Sequence, residues 1–312
     1  MKSLGMVLPE MPSFSGTVQD TLGIRLDRYV AEYIRLMRRS QIKSRDLKAR
    51  INGKPVKISR MVRAGDVLEL TWAEPEPIGL VPENIALEVL YEDEQVVVVN
   101  KAQGMVVHPG AGNHRGTLAN ALLYRRLNAG GLAAGEGFRP GIVHRLDKDT
   151  SGVIIAAYND EALAFLASQF KARKVRKRYG AIVKGVFTEP SGCIETRISR
   201  DPRDRKRFTV SPDTGKIAIT RYQVIRSWAS HSLLLLQPKT GRTHQLRVHL
   251  RHLGHPIVGD PIYGMQDSLF PQATLMLHAK SLSLLLPGSM KRETFRTPLP
   301  PRFQELIGTF SV

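Results

Sequence analysis

The sequence contains a single cysteine, Cys193, and no apolar run long enough to cross a bilayer. One cysteine excludes an intramolecular disulfide and a metal site built on several thiolates, and it is typical of a reducing cytoplasm. A membrane-spanning helix needs roughly 18 consecutive apolar residues. Residues 1–16 lack the basic start and apolar core of a signal peptide. We therefore expect a cytoplasmic protein that does not enter a membrane.

Motifs for common cofactors are also missing. The chain has no glycine-rich phosphate loop and no dinucleotide fingerprint, and Ser151 does not stand in a nucleophile elbow. Four histidines lie close together in the sequence: His244, His249, His252 and His255. Their spacing does not place three on one helical face, and no cysteine or paired carboxylate accompanies them. We expect neither a metal nor a cofactor.

Acidic residues are too few to balance the charge. The 312 residues include 46 Lys and Arg against 28 Asp and Glu, which gives a net charge of +18. This excess indicates an acidic partner, and nucleic acid fits better than a membrane because no basic amphipathic helix with an aromatic face stands out. Residues 35–63 hold eleven Lys or Arg and one acid. A solvated surface usually carries charges of both signs. A segment with almost only positive charges therefore favours contact with a nucleic-acid backbone.

The first eighty residues predict a small module. Residues 1–22 are polar and form an arm, and the apolar positions from 26 to 37 recur at helical spacing. Ser40 could cap a second helix. The Asn-Gly pair within residues 51–56 predicts a tight hairpin, which residues 67–70 follow as a closing strand. Proline and glutamate then mark a linker, with a domain boundary near residue 80.

The remainder alternates short buried strands with amphipathic helices. The predicted strands cover residues 85–91, 96–99, 141–143, 153–157, 179–183, 233–236 and 277–279. The predicted helices cover residues 118–126, 160–174 and 243–253, with a short one after the prolines of 298–301. In the helix at 243–253, His244 and Arg247 share a polar face, and Gly254 ends the helix. Residues 200–207 are expected to form a basic surface loop.

Residues 144–152, with the sequence HRLDKDTSG, lie between two predicted buried strands. Charged loops on a rigid scaffold often carry chemistry. The basic neighbours of Asp147 favour its ionised form, which a nucleophile or base requires. Alternate residues of an extended loop point in opposite directions, so we expect one working carboxylate rather than a glycosidase pair. Asp149 is then expected to brace the loop by hydrogen bonds to the backbone, Thr150 or Ser151.

The N-terminal module resembles the S4 RNA-binding domain. The matching segments are residues 25–27, 39–42, 51–54 and 64–66. The resemblance implies that residues 23–72 bind RNA, between the arm at 1–22 and a linker at 73–84. The RNA-binding residues expected in this module are Arg39, Lys43, Arg45 and Lys54.

Residues from about 85 to 303 resemble the RluA family of RNA pseudouridine synthases. The loop at 144–152 resembles the catalytic loop of that family, residues 177–179 its tyrosine motif and residues 241–249 its arginine motif. Shorter matches lie at residues 255–260, 277–279 and 298–300. Residues 104–113 resemble the RluD-like branch, which acts on large-subunit ribosomal RNA, whereas Ala102 replaces a proline that many members carry. The implied fold is α+β: residues 85–312 form a mixed, mainly antiparallel sheet with flanking helices and a central cleft.

This resemblance implies the isomerisation of uridine to pseudouridine in RNA, with ribosomal RNA as partner and the protein as a monomer. Spacing alone leaves Tyr179 as either a core aromatic or a site residue, and Arg247 as either a surface or a site residue. The family implies that Asp147 is the catalytic carboxylate, that Arg247 pairs with it and that Tyr179 lies against the target base. Arg145 would fill the space that the flipped nucleotide vacates. Further RNA contacts are expected from Arg176, Lys177, Arg242 and His244.

Three alternatives stay open. The chain could be a ribosome-assembly factor that binds RNA without catalysis, a synthase directed to transfer RNA, or a nucleic-acid glycosylase that also acts at C1′. Whether Asp147 attacks C1′ or removes a proton from the sugar is also open.

Overall fold

The computed structural model describes residues 12–19, 23–37, 39, 42, 45–73, 80–110, 113–129, 140–264 and 267–310. The chain divides into two compact units between Gly79 and Leu80. Lys43 and most of the second helix predicted near Ser40 fall outside the described residues. Among the described helices, none is long and apolar enough to span a bilayer.

The N-terminal unit is a small sheet with one helical segment. Its strands are β1 (Ser13–Thr17), β2 (Ile24–Arg25), β3 (Lys48–Ile51), β4 (Lys54–Val56), β5 (Met61–Val62) and β6 (Val67–Thr71). Four of them form an antiparallel sheet in the order β1-β6-β3-β4, and β2 pairs with β5. Helix α1 (Leu26–Arg28) continues as a π-helical turn, Tyr29–Tyr33. Leu26, Leu68 and Leu70 are buried in the core of this unit.

The hairpin predicted in this unit is confirmed. Asn52 and Gly53 both have positive φ angles, 51° and 77°, as a two-residue turn between right-twisted strands requires. Two predictions are wrong. The arm contains strand β1, which pairs with β6 along its whole length. The helix expected to run to residue 37 ends at Tyr33, because Arg35 adopts a left-handed conformation with φ 51°.

The larger unit is built on one eleven-stranded sheet. Its strands are β7 (Glu88–Glu92), β8 (Val96–Lys101), β9 (Gly141–Ile142), β10 (Ser151–Ala157), β11 (Arg176–Lys184), β12 (Ser191–Arg200), β13 (Phe208–Ser211), β14 (Lys216–Ser227), β15 (His231–Pro238), β16 (Leu277–Leu285) and β17 (Arg292–Arg296). Its helices are α2 (Leu118–Asn128), α3 (Asp160–Lys171), α4 (Gln245–His252) and α5 (Pro301–Thr309). The main path runs β13-β12-β14-β15-β11-β16-β10-β8-β7. Only β10 and β16 pair in parallel among the described strands, so the mixed, mainly antiparallel α+β prediction is confirmed.

Both faces of this sheet are covered. Alternation along β8 directs Val96 and Val98 to the face that holds Leu166 of α3. It directs Val97 and Val99 to the opposite face, which packs against α2. Such double burial explains why β8 and β10 read as continuous apolar runs.

Local signals fix the starts of two helices in this unit. Thr117 and Asn120 form a reciprocal capping box at the start of α2. The Asn159 side chain accepts a hydrogen bond from the amide of Ala162 at the start of α3, at 2.8 Å. The strand predicted from residue 85 begins instead at Glu88, whose partner Asn100 is one residue before the end of β8. The helix predicted to reach residue 174 ends at Lys171.

Candidate active site

A cavity of about 450 Å³ opens beside the loop that precedes β10. The residues that line it come from that loop, from the end of α3 through the start of β11, from the end of β15 through the first turn of α4, and from Leu277 of β16. The three predicted catalytic residues, Asp147, Tyr179 and Arg247, all line this cavity. Four of the predicted RNA-binding residues line it too: Arg145, Lys177, Arg242 and His244. The structure therefore brings together residues that are 100 positions apart in the chain.

Asp147 presents a carboxylate to this cavity. Its side chain is 19% exposed, and its Oδ2 atom lies 3.5 Å from Nη1 of Arg247. The same oxygen lies 3.9 Å from Nε2 of His244. Both contacts involve Oδ2, so among the described residues the Oδ1 atom has no hydrogen-bond partner. One oxygen is thus positioned by the protein while the other is available to a reacting atom.

Arg247 is held mainly by another residue, Asp260. Its Nε donates to Oδ2 of Asp260 at 2.7 Å, and its Nη2 donates to Oδ1 at 2.6 Å. Both side chains are buried, and Asp260 also accepts the amides of Ile262 and Tyr263 at 2.9 Å. Burial opposes the charge of Asp260, but the hydrogen bonds from Arg247 and these amides lower its pKa below the ordinary value. The guanidinium is therefore fixed before any substrate arrives, with Nη1 left for Asp147.

Tyr179 lies on β11, at the point where the pairing of β11 with β16 shifts register. Burial raises the pKa of its hydroxyl, and the charge of Asp147 raises it further. The phenol is therefore protonated at neutral pH. Its ring packs against two of the hydrophobic clusters of this unit, which fixes its plane beside the cavity.

His244 departs from the prediction, because it precedes the helix rather than belonging to it. It has φ 55°, a left-handed conformation, and α4 begins at Gln245. Its Nδ1 lies 2.8 Å from the hydroxyl of Tyr263, which already accepts the amide of Phe208. The hydroxyl can then donate to Nδ1, which favours a neutral ring with its proton on Nε2, toward Asp147. Burial lowers the pKa of His244 in agreement with a neutral ring.

The other predicted RNA-binding residues have varied surroundings. Arg145 is exposed at the edge of the cavity, and Arg242 donates from Nε to the carbonyl of Ile217 at 3.0 Å. Arg176 is exposed on β11. In the N-terminal unit, Lys54 is exposed, Arg45 is half-buried, and Arg39 is ion-paired with Asp27 at 2.8 Å.

Lys101 supports the loop and was not identified from the sequence. Its side chain is fully buried, and its ammonium donates to the carbonyls of Ala102 at 2.9 Å, Met105 at 2.8 Å and Lys148 at 3.1 Å. These bonds attach the end of β8 to the residue that follows Asp147 in the chain. A lysine at the end of an apolar strand gives no local sign of this role, since most lysines in such positions reach solvent.

Asp149 does not brace the loop as predicted. Among the described residues, its carboxylate makes no hydrogen bond to Thr150 or Ser151. The bracing bond at this position uses the main chain instead, because Gln103 donates from Nε2 to the carbonyl of Asp149 at 3.0 Å. Gln103 also donates to the carbonyl of Leu275 at 3.1 Å, which links the loop to the segment before β16.

Two of the four clustered histidines, His249 and His255, make structural contacts. His249 lies 3.0 Å from the hydroxyls of both Thr196 and Thr220. His255 lies 2.9 Å from the carbonyl of Lys184 and stacks on the ring of Phe187. Within the described part of the chain, no group of three or more His, Cys, Asp or Glu side chains could hold a metal ion.

Comparison with known proteins gives consistent matches. A family model described as RNA pseudouridylate synthase matches residues 95–252. A Borreliella burgdorferi protein named "Ribosomal large subunit pseudouridine synthase D" is 43% identical, over 92% of this chain and 90% of its own. A Xanthomonas campestris protein of the same name is 40% identical, over 91% of this chain and 88% of its own. The solved structure of human RNA pseudouridylate synthase domain containing 4 has a TM-score of 0.59 at 28% identity, over 72% of this chain and 93% of its own.

Proposed function

The chain belongs to the RluA-type family of RNA pseudouridine synthases, and we propose that it isomerises uridines of large-subunit ribosomal RNA with Asp147 as the catalytic carboxylate. The observation that carries the assignment of Asp147 is its pairing with an arginine that Asp260 already fixes. Two relatives whose names specify the ribosomal large subunit support the choice of RNA.

The reaction breaks the N1–C1′ bond of uridine, turns the base and joins C5 to C1′. C5 loses its proton to solvent, and the freed N1 gains a proton from solvent. The reaction is an isomerisation and consumes no electron carrier or energy donor. A carboxylate near C1′ can attack that carbon, as in retaining glycosidases, or remove a proton from the sugar. Either step uses an oxygen that protein groups do not occupy, and Oδ1 of Asp147 meets this requirement. Arg247 keeps the carboxylate oriented through its other oxygen.

Tyr179 and Arg145 act on the base and on the stack that the base leaves. The target nucleotide must leave its stack to enter the cavity, and Arg145 at the edge is suited to fill the vacated space. Tyr179 would lie against the base and assist the loss of the C5 proton. Its hydroxyl enters the reaction protonated, so its own proton would pass to solvent water as its oxygen accepts the one from C5.

Release of tritium from RNA labelled at C5 of uridine tests this function. The wild-type protein should release tritium from large-subunit ribosomal RNA, and Asp147→Asn should release none while its RNA affinity stays within about threefold. Tyr179→Phe should bind equally well and turn over about 100-fold more slowly, within the range for lost acid–base assistance. Measurable turnover by Asp147→Asn would remove Asp147 from the mechanism.

The same assay separates the alternatives. A non-catalytic assembly factor would bind ribosomal RNA and release no tritium. A synthase directed to transfer RNA would release tritium faster from that RNA than from ribosomal RNA. A glycosylase would yield free uracil, which chromatography of the products detects.

We infer that residues 23–72 act as an S4-like RNA-binding module in a cytoplasmic monomer. Arg45 and Lys54 would contact the RNA backbone together with Lys43. Arg39 would contact it as well, while its ion pair with Asp27 holds its guanidinium in place. Deletion of residues 1–72 should weaken binding to ribosomal RNA and flatten its dependence on salt, because each lost phosphate contact reduces the release of counterions. Unchanged affinity with a folded catalytic unit, checked by circular dichroism, would contradict this role. Sedimentation should show one chain per particle.

A further inference from the structure

A second cavity of about 560 Å³ lies where β11 begins and β15 ends. Seven of the ten residues that line it are lysine or arginine, and none is acidic. We call this the cationic cavity. Its charged lining residues are Arg173, Lys174, Arg176, Lys177, Arg178, Lys239 and Arg292. So dense a positive lining gives a strong local potential for an anion.

The cations of this cavity are not neutralised from within the described protein. None of the seven forms an ion pair with a described carboxylate. The clearest case is Lys177, whose ammonium makes no hydrogen bond or ion pair with any described residue although burial lowers its pKa. Lys177 is half-buried, and an ammonium partly removed from water without a partner costs free energy, which an incoming anion would offset. Lys101 differs, because three carbonyls accept from it.

The cationic cavity is continuous with the active site. Arg173, Lys177 and Lys239 line both cavities, as do Val175 and Pro238 between them. An RNA strand whose uridine enters the first cavity would therefore place neighbouring nucleotides along the second. A free anion would not require this continuity, whereas a polymer that spans both cavities would use it.

We propose that the cationic cavity is a phosphate subsite, which holds the backbone of the RNA strand next to the target uridine. The proposal rests on the proposed function for the identity of the strand. It assigns Arg176 and Lys239, both exposed, as phosphate contacts that carry no information about the base.

Binding of a labelled 20-nucleotide oligouridylate to the full chain tests this subsite. The variant Arg176→Gln/Lys239→Gln removes two cations that line the cationic cavity. Each phosphate contact with single-stranded RNA contributes about 0.7 to the slope of log K against log salt concentration. Between 1 M and 0.1 M salt, one such contact therefore raises the affinity about fivefold. The slope should therefore fall by about 1.4, and Kd should rise about 25-fold.

The matched control is Arg221→Gln/Arg226→Gln, which removes two exposed cations from β14 that line neither cavity. Its Kd should stay within twofold of wild type, with an unchanged slope. The subsite is refuted if the cavity variant binds like wild type, or if the control loses as much affinity as the cavity variant. Thermal melting should confirm that both variants fold.

Tritium release separates this proposal from the proposed function. Wild-type protein that releases tritium, with an unchanged Kd in the cavity variant, would refute the subsite alone. No release by wild type, with weaker binding by the cavity variant, would refute the function and keep the phosphate site. If both hold, the cavity variant should show a raised KM with a much smaller effect on kcat, because phosphate contacts position the strand away from the reacting atoms.

Discussion

The ion pair between Arg247 and Asp260 can be tested by the isosteric substitution Asp260→Asn. The asparagine oxygen can still accept the amides of Ile262 and Tyr263, but the charge that faces Arg247 is lost. Removal of one partner from a buried ion pair typically costs 3–5 kcal/mol. Asp147 at 3.5 Å offers the guanidinium a second carboxylate, so we expect the lower end, about 3 kcal/mol. For a unit of this size that corresponds to a fall in melting temperature of roughly 6–12 °C.

Activity should fall by more than stability alone would cause. Arg247 without its anchor is free to move toward Asp147 and shorten their contact, which shifts the carboxylate proposed to react. A displacement of about 1 Å in an active site can cost about 100-fold in rate. Single-turnover assays well below the new melting temperature should therefore give a rate about 100-fold lower than wild type, at nearly unchanged RNA affinity.

A double variant separates the two effects. Arg247→Met/Asp260→Asn leaves no uncompensated buried charge, so it should recover most of the lost stability. It should not recover activity, because the guanidinium that orients the carboxylate of Asp147 is gone. The reasoning fails if Asp260→Asn melts within 2 °C of wild type and turns over normally, since Arg247 would then need no anchor.

Three further substitutions test the supports of this site. Gly152→Ala should destabilise the protein by about 3 kcal/mol in urea titrations, because Gly152 has φ 119° and a Cβ there would lie 2.3 Å from the carbonyl oxygen of Ala279. An unchanged urea midpoint would show that β10 and β16 can separate enough to admit the methyl group. Burial lowers the pKa of Lys101 from 10.5 to about 8, so the folded protein loses this proton at a lower pH than the unfolded chain does. The free energy of unfolding should therefore rise between these two pH values, by up to about 3 kcal/mol relative to Lys101→Met. A difference between the two proteins that does not change with pH would contradict this. Thr117→Val should cost about 1 kcal/mol in the same titrations through loss of the helix cap, and no change would show that the cap is dispensable.

Features with local causes were accessible from the sequence. Asn52 and Gly53 predicted the hairpin because few other pairs adopt two successive positive φ angles. The helix predicted over residues 118–126 begins at Leu118 as expected, and the hydroxyl of Thr117 accepts a hydrogen bond from a free amide of its first turn. The apolar runs on either side of the loop at 144–150 predicted β9 and β10, because strands inside a sheet that is covered on both faces carry apolar rather than charged residues.

Features that depend on contacts distant in sequence were not accessible. Asp260 belonged to a matched segment, yet its pairing with Arg247 arises only when the turn after α4 folds back on the helix. His244 fitted the helical spacing of the sequence. In the structure it is left-handed instead, and its Nδ1 is hydrogen-bonded to the hydroxyl of Tyr263, 19 residues later in the chain. In sequence, Lys101 resembled a solvated lysine. One of the carbonyls that accept hydrogen bonds from its ammonium belongs to Lys148, 47 residues later in the chain. Periodicity reports which face a residue occupies and gives no information about its partner in space.

The parallel pairing of β10 with β16 has a consequence for when the enzyme becomes active. Ser151 on β10 lies opposite His278 on β16, 127 positions later, and this seam joins the two parts of the sheet. Pairing across so long a separation is slow, because the entropy of closing the loop must be overcome before the contact stabilises it. Asp147 precedes β10 on one side of the seam, whereas Tyr179 and Arg247 belong to the other. A chain in which β16 has not yet paired with β10 therefore lacks the arrangement proposed for catalysis, and the ability to modify RNA awaits the pairing of these two strands.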